Sequence, residues 1–185
     1  MALGASRVLE QMITRGNSVS DWSQHFTTED EAGILAALGI AREAGLAGEV
    51  PVGAVVVRAG KIVASASNRT VRDQDATAHA EVLALRAAAI QIGSWRLEGC
   101  TLYITLEPCA MCAGAIVLSR PDRVIFGAWD DKAGMAGSVG DLLRHPRLNH
   151  HPEVRGGVRA KECAELLRDF FQARRNSVDS PSNVG

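Results

Sequence analysis

The sequence predicts an α/β protein in which one sheet lies between two layers of helices, and three observations carry that reading. Apolar, β-branched runs alternate with helical ones along the chain. The run "VGAVVV" is apolar on both of its faces, and "AEVLALRAAAIQIG" is apolar nearly all round, as a helix packed inside a protein must be. At 185 residues, 46% hydrophobic and 22% charged, the chain is long and apolar enough for one domain with its own core.

The elements follow in order. Residues 1–26 mix Gly, Ser and Asn without periodicity and read as a flexible extension ahead of a single domain at 27–176. Thr28 and Glu31 have the spacing of a capping box, opening an amphipathic helix to about Ala44. "VGAVVVRAGKIVASASN" reads as two strands joined by a tight turn at Ala59-Gly60. The all-round apolar helix comes next and ends at Gly93. "TLYITL" and "RVIFGA" are two further strands with the helix "CAMCAGAIVLS" between them, so they should run parallel. Ser138 and Asp141 repeat the capping spacing in a short element that Pro146 closes. "KECAELLRDFFQARR" is a last helix, and the tail at 177–185 reads as disordered.

Composition excludes several function classes. No stretch approaches the roughly 18 apolar residues of a membrane span, and the N-terminal segment lacks the apolar centre of a secretory signal. Four cysteines are too few for a disulfide scaffold, so the expected setting is the cytoplasm, where reduced thiols are free to bind metal. The net charge of −1 gives no general attraction to a polyanion. Its distribution is uneven: residues 1–49 hold three Lys and Arg against seven Asp and Glu, and residues 144–185 hold eight against five. A polyanion would meet the C-terminal segment most favourably.

The chemistry concentrates in two short motifs. Cys109 and Cys112 follow Pro108 where a strand hands over to a helix, a place where unpaired amides favour thiolates. Alone, the pair is equally compatible with a disulfide, a redox couple or half of a metal site. Upstream, His79 and Glu81 also open a helix after a loop. If the third strand lies beside the first, both helix starts fall at the same end of the sheet. His79, Cys109 and Cys112 then form a three-ligand zinc site with one position left for water, the arrangement of a catalytic rather than a structural zinc. Glu81 stands beside that water, where a carboxylate can take a proton and return it to a substrate nitrogen. The order H-x-E then P-C-x-x-C is the zinc-deaminase signature. Cys100, at the far end of its strand, and Cys163, on the apolar face of the last helix, read as packing thiols.

The segments "PVGAVVV", "SNRT", "ATAHAEVLALR", "TLYITLEPCAMCAGAIVLSR", "RVIFGAWDDKAGMAGS", "HPRLNH" and "RDFFQARR" together resemble the bacterial tRNA-specific adenosine deaminases, from about Thr28 to Arg175. The resemblance implies a three-layer α-β-α cytidine-deaminase-like fold with a mixed five-stranded sheet. It implies one zinc ion per subunit, a homodimer, and conversion of adenosine to inosine at the wobble position of a tRNA anticodon, with an arginine tRNA as the expected substrate. By the same resemblance, Asn68 and the Ala80 amide would contact the base, Asp130 the sugar-phosphate, and His145, Asn149 and His150, with Phe170 and Arg174, the anticodon stem-loop. A reading of Phe170 and Phe171 as one RNA contact and one core residue goes with it. Trp129 departs from the pattern, which has a basic residue before the aspartate. A small-molecule deaminase acting on guanine or a cytosine nucleotide would share the zinc motif but lack the basic, aromatic last helix. A non-catalytic RNA-binding subunit would have lost the proton shuttle, and Glu81 is present.

Overall fold

A computed structural model describes residues 26–178. Ten elements follow one another: α1 Thr28–Leu46, β1 Gly53–Arg58, β2 Lys61–Ser67, a single turn α2 Thr70–Asp73, α3 Ala80–Ile92, β3 Cys100–Leu106, α4 Ala110–Ser119, β4 Arg123–Ala128, β5 Glu153–Gly156 and α5 Ala160–Val178. The five strands form one mixed sheet in the order β2-β1-β3-β4-β5. β1 is antiparallel to both β2 and β3, whereas β3, β4 and β5 run parallel.

Strand periodicity explains the layers. Successive side chains point to opposite faces, so each central strand supplies both cores. Ala54, Val56, Leu102, Ile104, Val124 and Phe126 join Ala84 and Leu85 of α3 and Ile116 of α4 on one face. Val55, Tyr103 and Ile125, the intervening residues, join Ile34 and Leu38 of α1 and Cys163 of α5 on the other. The sheet is thus covered on both sides, as its doubly apolar strands require.

The β1–β2 hairpin turns at Ala59 and Gly60, with φ of 50° and 72°, the two left-handed residues that a tight hairpin of matching twist needs. Gly93, at φ 74°, ends α3 as expected. Four local expectations differ. The cap of α1 is Thr27, whose hydroxyl accepts from the Asp30 amide at 3.0 Å; adjacent threonines carry the same cap chemistry, and the helix starts one residue earlier than the Thr28 reading. Ser138 and Asp141 open no helix: the Ser138 hydroxyl donates to Glu107, and Asp141 pairs with Arg144 at 2.7 Å. α5 runs on to Val178, past the boundary drawn at 177, since no helix breaker intervenes before Pro181. Phe26, counted with the extension, packs against the α1 and α5 core. The rest of 1–26 and the tail beyond Val178 lie outside the described residues.

Close backbone contact sets the seat of α1. A Cβ on Gly53 would lie 2.2 Å from the Ala37 carbonyl oxygen and 2.8 Å from the Ala41 amide nitrogen. Backbone cannot yield as a flexible side chain does. Gly53→Ala will therefore destabilise the fold by about 1–3 kcal/mol, read as a lower denaturation midpoint with an unchanged m-value. A midpoint equal to the parent would show that α1 shifts freely on the sheet.

Candidate active site

The site forms at the end of the sheet where β1 begins and β2, β3 and β4 end. A recess of about 250 Å³ opens there, lined by Val50, Val52, Asn68, Thr70, His79, Glu81, Leu106, Glu107, Cys109, Asp130 and Ala133. His79 and Cys109 occupy equivalent places, each the extended residue immediately before a helix, His79 before α3 and Cys109 before α4. Pairing of β1 with β3 brings those two helix starts together, as the sequence reading required.

His79 Nδ1 lies 3.7 Å from Cys109 Sγ and 3.5 Å from Cys112 Sγ. Zn–S bonds of about 2.3 Å and Zn–N bonds of about 2.05 Å at tetrahedral angles give an S···N edge of about 3.6 Å. The three donors thus fit one tetrahedral zinc, and they are the sole His/Cys/Asp/Glu group gathered closely enough for a metal among the described residues. The Cys109 thiol is held down to about 5, chiefly by the hydrogen bond from Cys112 and further by the Cys112 and Met111 amides at the start of α4. Cys112, as the donor, is pushed up, and burial adds to that shift.

Glu81, 4% exposed, is the second residue of α3 and lies against the Cys112 thiol. Burial pushes its carboxyl above the ordinary glutamate value. Asn68 follows β2 and is held by its amide group, which donates to Glu49 Oε2 at 3.2 Å and to the Thr70 hydroxyl at 3.1 Å. Asp130 enters from the opposite wall, its carboxylate accepting from the Lys132 and Ala133 amides at 3.0 and 3.2 Å. Ala80 is wholly buried as the first residue of α3, between two lining residues.

The remaining expected residues are not in the recess. The Arg174 guanidinium stacks 5.3 Å over the Phe170 ring and donates to the Gly48 carbonyl at 3.2 Å, which lays the end of α5 beside the wall formed by Val50 and Val52. Phe170 is half-buried and Phe171 is 44% exposed, so neither is the core residue expected of one of them. Successive residues of a helix point about 100° apart, and here both rings fall at the margin of the buried face. His145 and Asn149 are exposed on the long β4–β5 connection, where His145 Nδ1 accepts from the Arg147 amide at 3.3 Å. His150 is spent on structure, with its Nε2 2.8 Å from the Pro121 carbonyl. Trp129 is 46% exposed at the end of β4, edge-on to Phe126 at 4.8 Å.

Two residues were missed: Glu49 and Glu107, both buried. Glu49 accepts from the Val71 and Arg72 amides at 3.3 and 2.6 Å as well as from Asn68, and so ties α2 to the asparagine. Glu107 does the same for the opposite wall. It lies between Pro108 and a strand, β3, made only of apolar and neutral residues, and its charge was the one available signal.

This donor set, seated at one end of an α-β-α sheet beside a buried glutamate, defines a class of enzyme, the zinc-dependent deaminases. Residues 27–128 match the family model of the cytidine and deoxycytidylate deaminase zinc-binding region, and the chain belongs to that family. Within it, the chain is 49% identical over 148 residues to the tRNA-specific adenosine deaminase of Bacillus subtilis (strain 168), covering 80% of this chain and 92% of that one. A solved structure from a study of A-to-I editing by tRNA:A34 deaminases at the wobble position of transfer RNA superposes with a TM-score of 0.71 at 43% identity, over 74% of this chain and 99% of that one. The guanine deaminase of Nitrosomonas europaea superposes with a TM-score of 0.69 at 25% identity, over 77% of this chain and 84% of that one.

Proposed function

We propose that this protein hydrolyses adenosine to inosine at the wobble position of a tRNA anticodon, with an arginine tRNA as substrate, and that residues 27–176 form its catalytic domain. The observation that carries the deamination is the meeting of His79, Cys109 and Cys112 at tetrahedral spacing with buried Glu81 on the same recess. His79 Nδ1 and the two thiolates hold the zinc, one ion per subunit. When bound, it lowers the pKa of a water towards neutrality.

Glu81 takes a proton from the attacking water and delivers it to adenine N1 as the oxygen bonds to C6. It then carries the second proton to the departing C6 amine, which leaves as ammonia. Asn68 and the Ala80 amide hold the base, and Asp130 the neighbouring sugar. A recess of about 250 Å³ falls below the roughly 300–1,000 Å³ of sites for drug-sized ligands, which suits one splayed base rather than a packed nucleotide chain.

The RNA reading draws support from the likeness to tRNA deaminases over most of both chains. It also draws support from cations near the recess on three segments: Arg69 between the lining residues Asn68 and Thr70, Lys132 beside Ala133, and Arg174 on Gly48, two residues before Val50. Phe170 under Arg174 offers a stacking surface for an unpaired anticodon base, and His145 and Asn149 would meet the stem. The active unit is a homodimer, and with reduced thiols and a tRNA substrate it works in the cytoplasm; no helix among the described residues is long and apolar enough to cross a membrane.

The test is inosine formation by the zinc-loaded protein on an arginine tRNA with an ACG anticodon, with free adenosine, guanine and cytidine alongside. Inosine at the wobble base alone is expected. Turnover of free guanine or cytidine with the tRNA untouched would overturn the substrate reading in favour of a small-molecule deaminase.

A further inference from the structure

Glu107 is 2% exposed, yet four donors converge on it from one stretch of chain. Oε1 accepts from the Ala136 and Ser138 amides at 2.9 and 3.0 Å. Oε2 accepts from the Asp130 amide at 3.0 Å and from the Ser138 hydroxyl. All four donors are neutral, so oriented dipoles rather than a counter-ion stabilise the group. Two donors on each oxygen use the whole acceptor capacity of a carboxylate. Although Glu107 borders the recess, nothing is left for it to offer a substrate.

The gripped stretch, 130–138, contains no helix or paired strand of its own apart from an isolated bridge at Ala136. Such a segment has many competing conformations unless something selects one. It also carries Asp130 and Ala133, the wall of the recess opposite Asn68. Gly134 packs so closely that a Cβ there would lie 2.2 Å from Glu107 Oε2. On its other side Glu107 is joined through Pro108 to Cys109, and the Pro108 carbonyl accepts from the Met135 amide at 2.9 Å. The strand end that presents a zinc ligand therefore also grips the segment that presents the substrate wall.

We propose that Glu107 is a positioning residue, which sets stretch 130–138 at a fixed distance from the metal centre so that Asp130 stands ready for the RNA. The proposal rests on the RNA reading above. Glu107 touches no reacting atom; it acts through Asp130 and Ala133. A glutamine in its place would turn one acceptor oxygen into a donor facing two donors, and the stretch would loosen while His79, Cys109 and Cys112 stay as they are.

The experiment compares Glu107→Gln and Ser138→Ala with the parent as zinc-loaded full chains, in a background where Trp22 and Trp95 are Phe and Trp129 is the lone indole. For Glu107→Gln, KM for the anticodon stem-loop should rise about tenfold or more, with kcat changed by less than about threefold and zinc content unchanged. Trp129 emission should move to the red as the ring leaves Phe126. Ser138→Ala removes one donor of four and should move both readouts the same way by less, and it decides the matter if Glu107→Gln does not fold. An unchanged KM, a lost zinc or an unmoved emission overturns the proposal. If the parent leaves the stem-loop untouched, the RNA reading fails on its own, and the emission shift alone decides for or against Glu107.

Discussion

Glu81→Gln will keep its zinc and its fold and will lower turnover on the tRNA by about 10²–10⁴-fold, the usual share of a positioned acid–base group. Three features set that expectation. The residue is buried, so no bulk water substitutes for it as a proton carrier. Its carboxyl is pushed up by burial, the direction required of a group that must release a proton as well as take one. Its place one residue inside α3, beyond His79, sets it beside the metal site rather than among the His/Cys/Cys donors. Glutamine preserves volume and packing against Cys112 but neither accepts nor returns a proton at this step. Single-turnover inosine formation, with zinc content and melting temperature measured on the same sample, reads the result. Brisk turnover by the variant would remove Glu81 from the mechanism.

The meeting of His79, Cys109 and Cys112 was legible because metal coordination favours particular residue types. A His and a C-x-x-C pair offer the nitrogen and sulfur donors that zinc takes, both open helices, and their meeting then required only that β1 lie beside β3. The central strands were legible for a related reason: burial on both faces leaves continuous apolar runs. What could not be located was β5. Glu153–Gly156 is four residues long and half polar, and it becomes a strand only because β4 offers it an edge. Glu107 and Glu49 escaped for a deeper reason. Most of their partners are backbone amides, which nearly every residue possesses, so beyond a lone charge in an apolar setting no side-chain pattern marks them. Ser138 shows the same limit from the other end: its hydroxyl can accept at a helix start or donate to a distant carboxylate, and only the fold decides which.

The second large effect is metal removal. Chelation should abolish deamination, and added zinc should restore it while raising the melting temperature. A ligand that binds only the folded state stabilises it by RT ln(1 + [L]/Kd), about 2.7 kcal/mol at a hundredfold excess over Kd. Cys112→Ser should leave the protein unable to retain zinc through dialysis, because a hydroxyl is a far poorer ligand than a thiolate for this ion. Its activity should fall at least as far as that of Glu81→Gln, and added zinc should no longer raise its melting temperature. Cys100 and Cys163 provide the contrast. Both are buried free thiols packed in the two cores, away from the recess. Cys100→Ala and Cys163→Ala should melt earlier through lost packing and yet bind zinc as the parent does. Stability and metal retention therefore separate by position in the fold: a thiol at a helix start holds the ion, and a thiol on a core face fills space. Zinc retained by Cys112→Ser, or lost equally from Cys100→Ala, would show that the His79, Cys109 and Cys112 cluster is not where the metal binds.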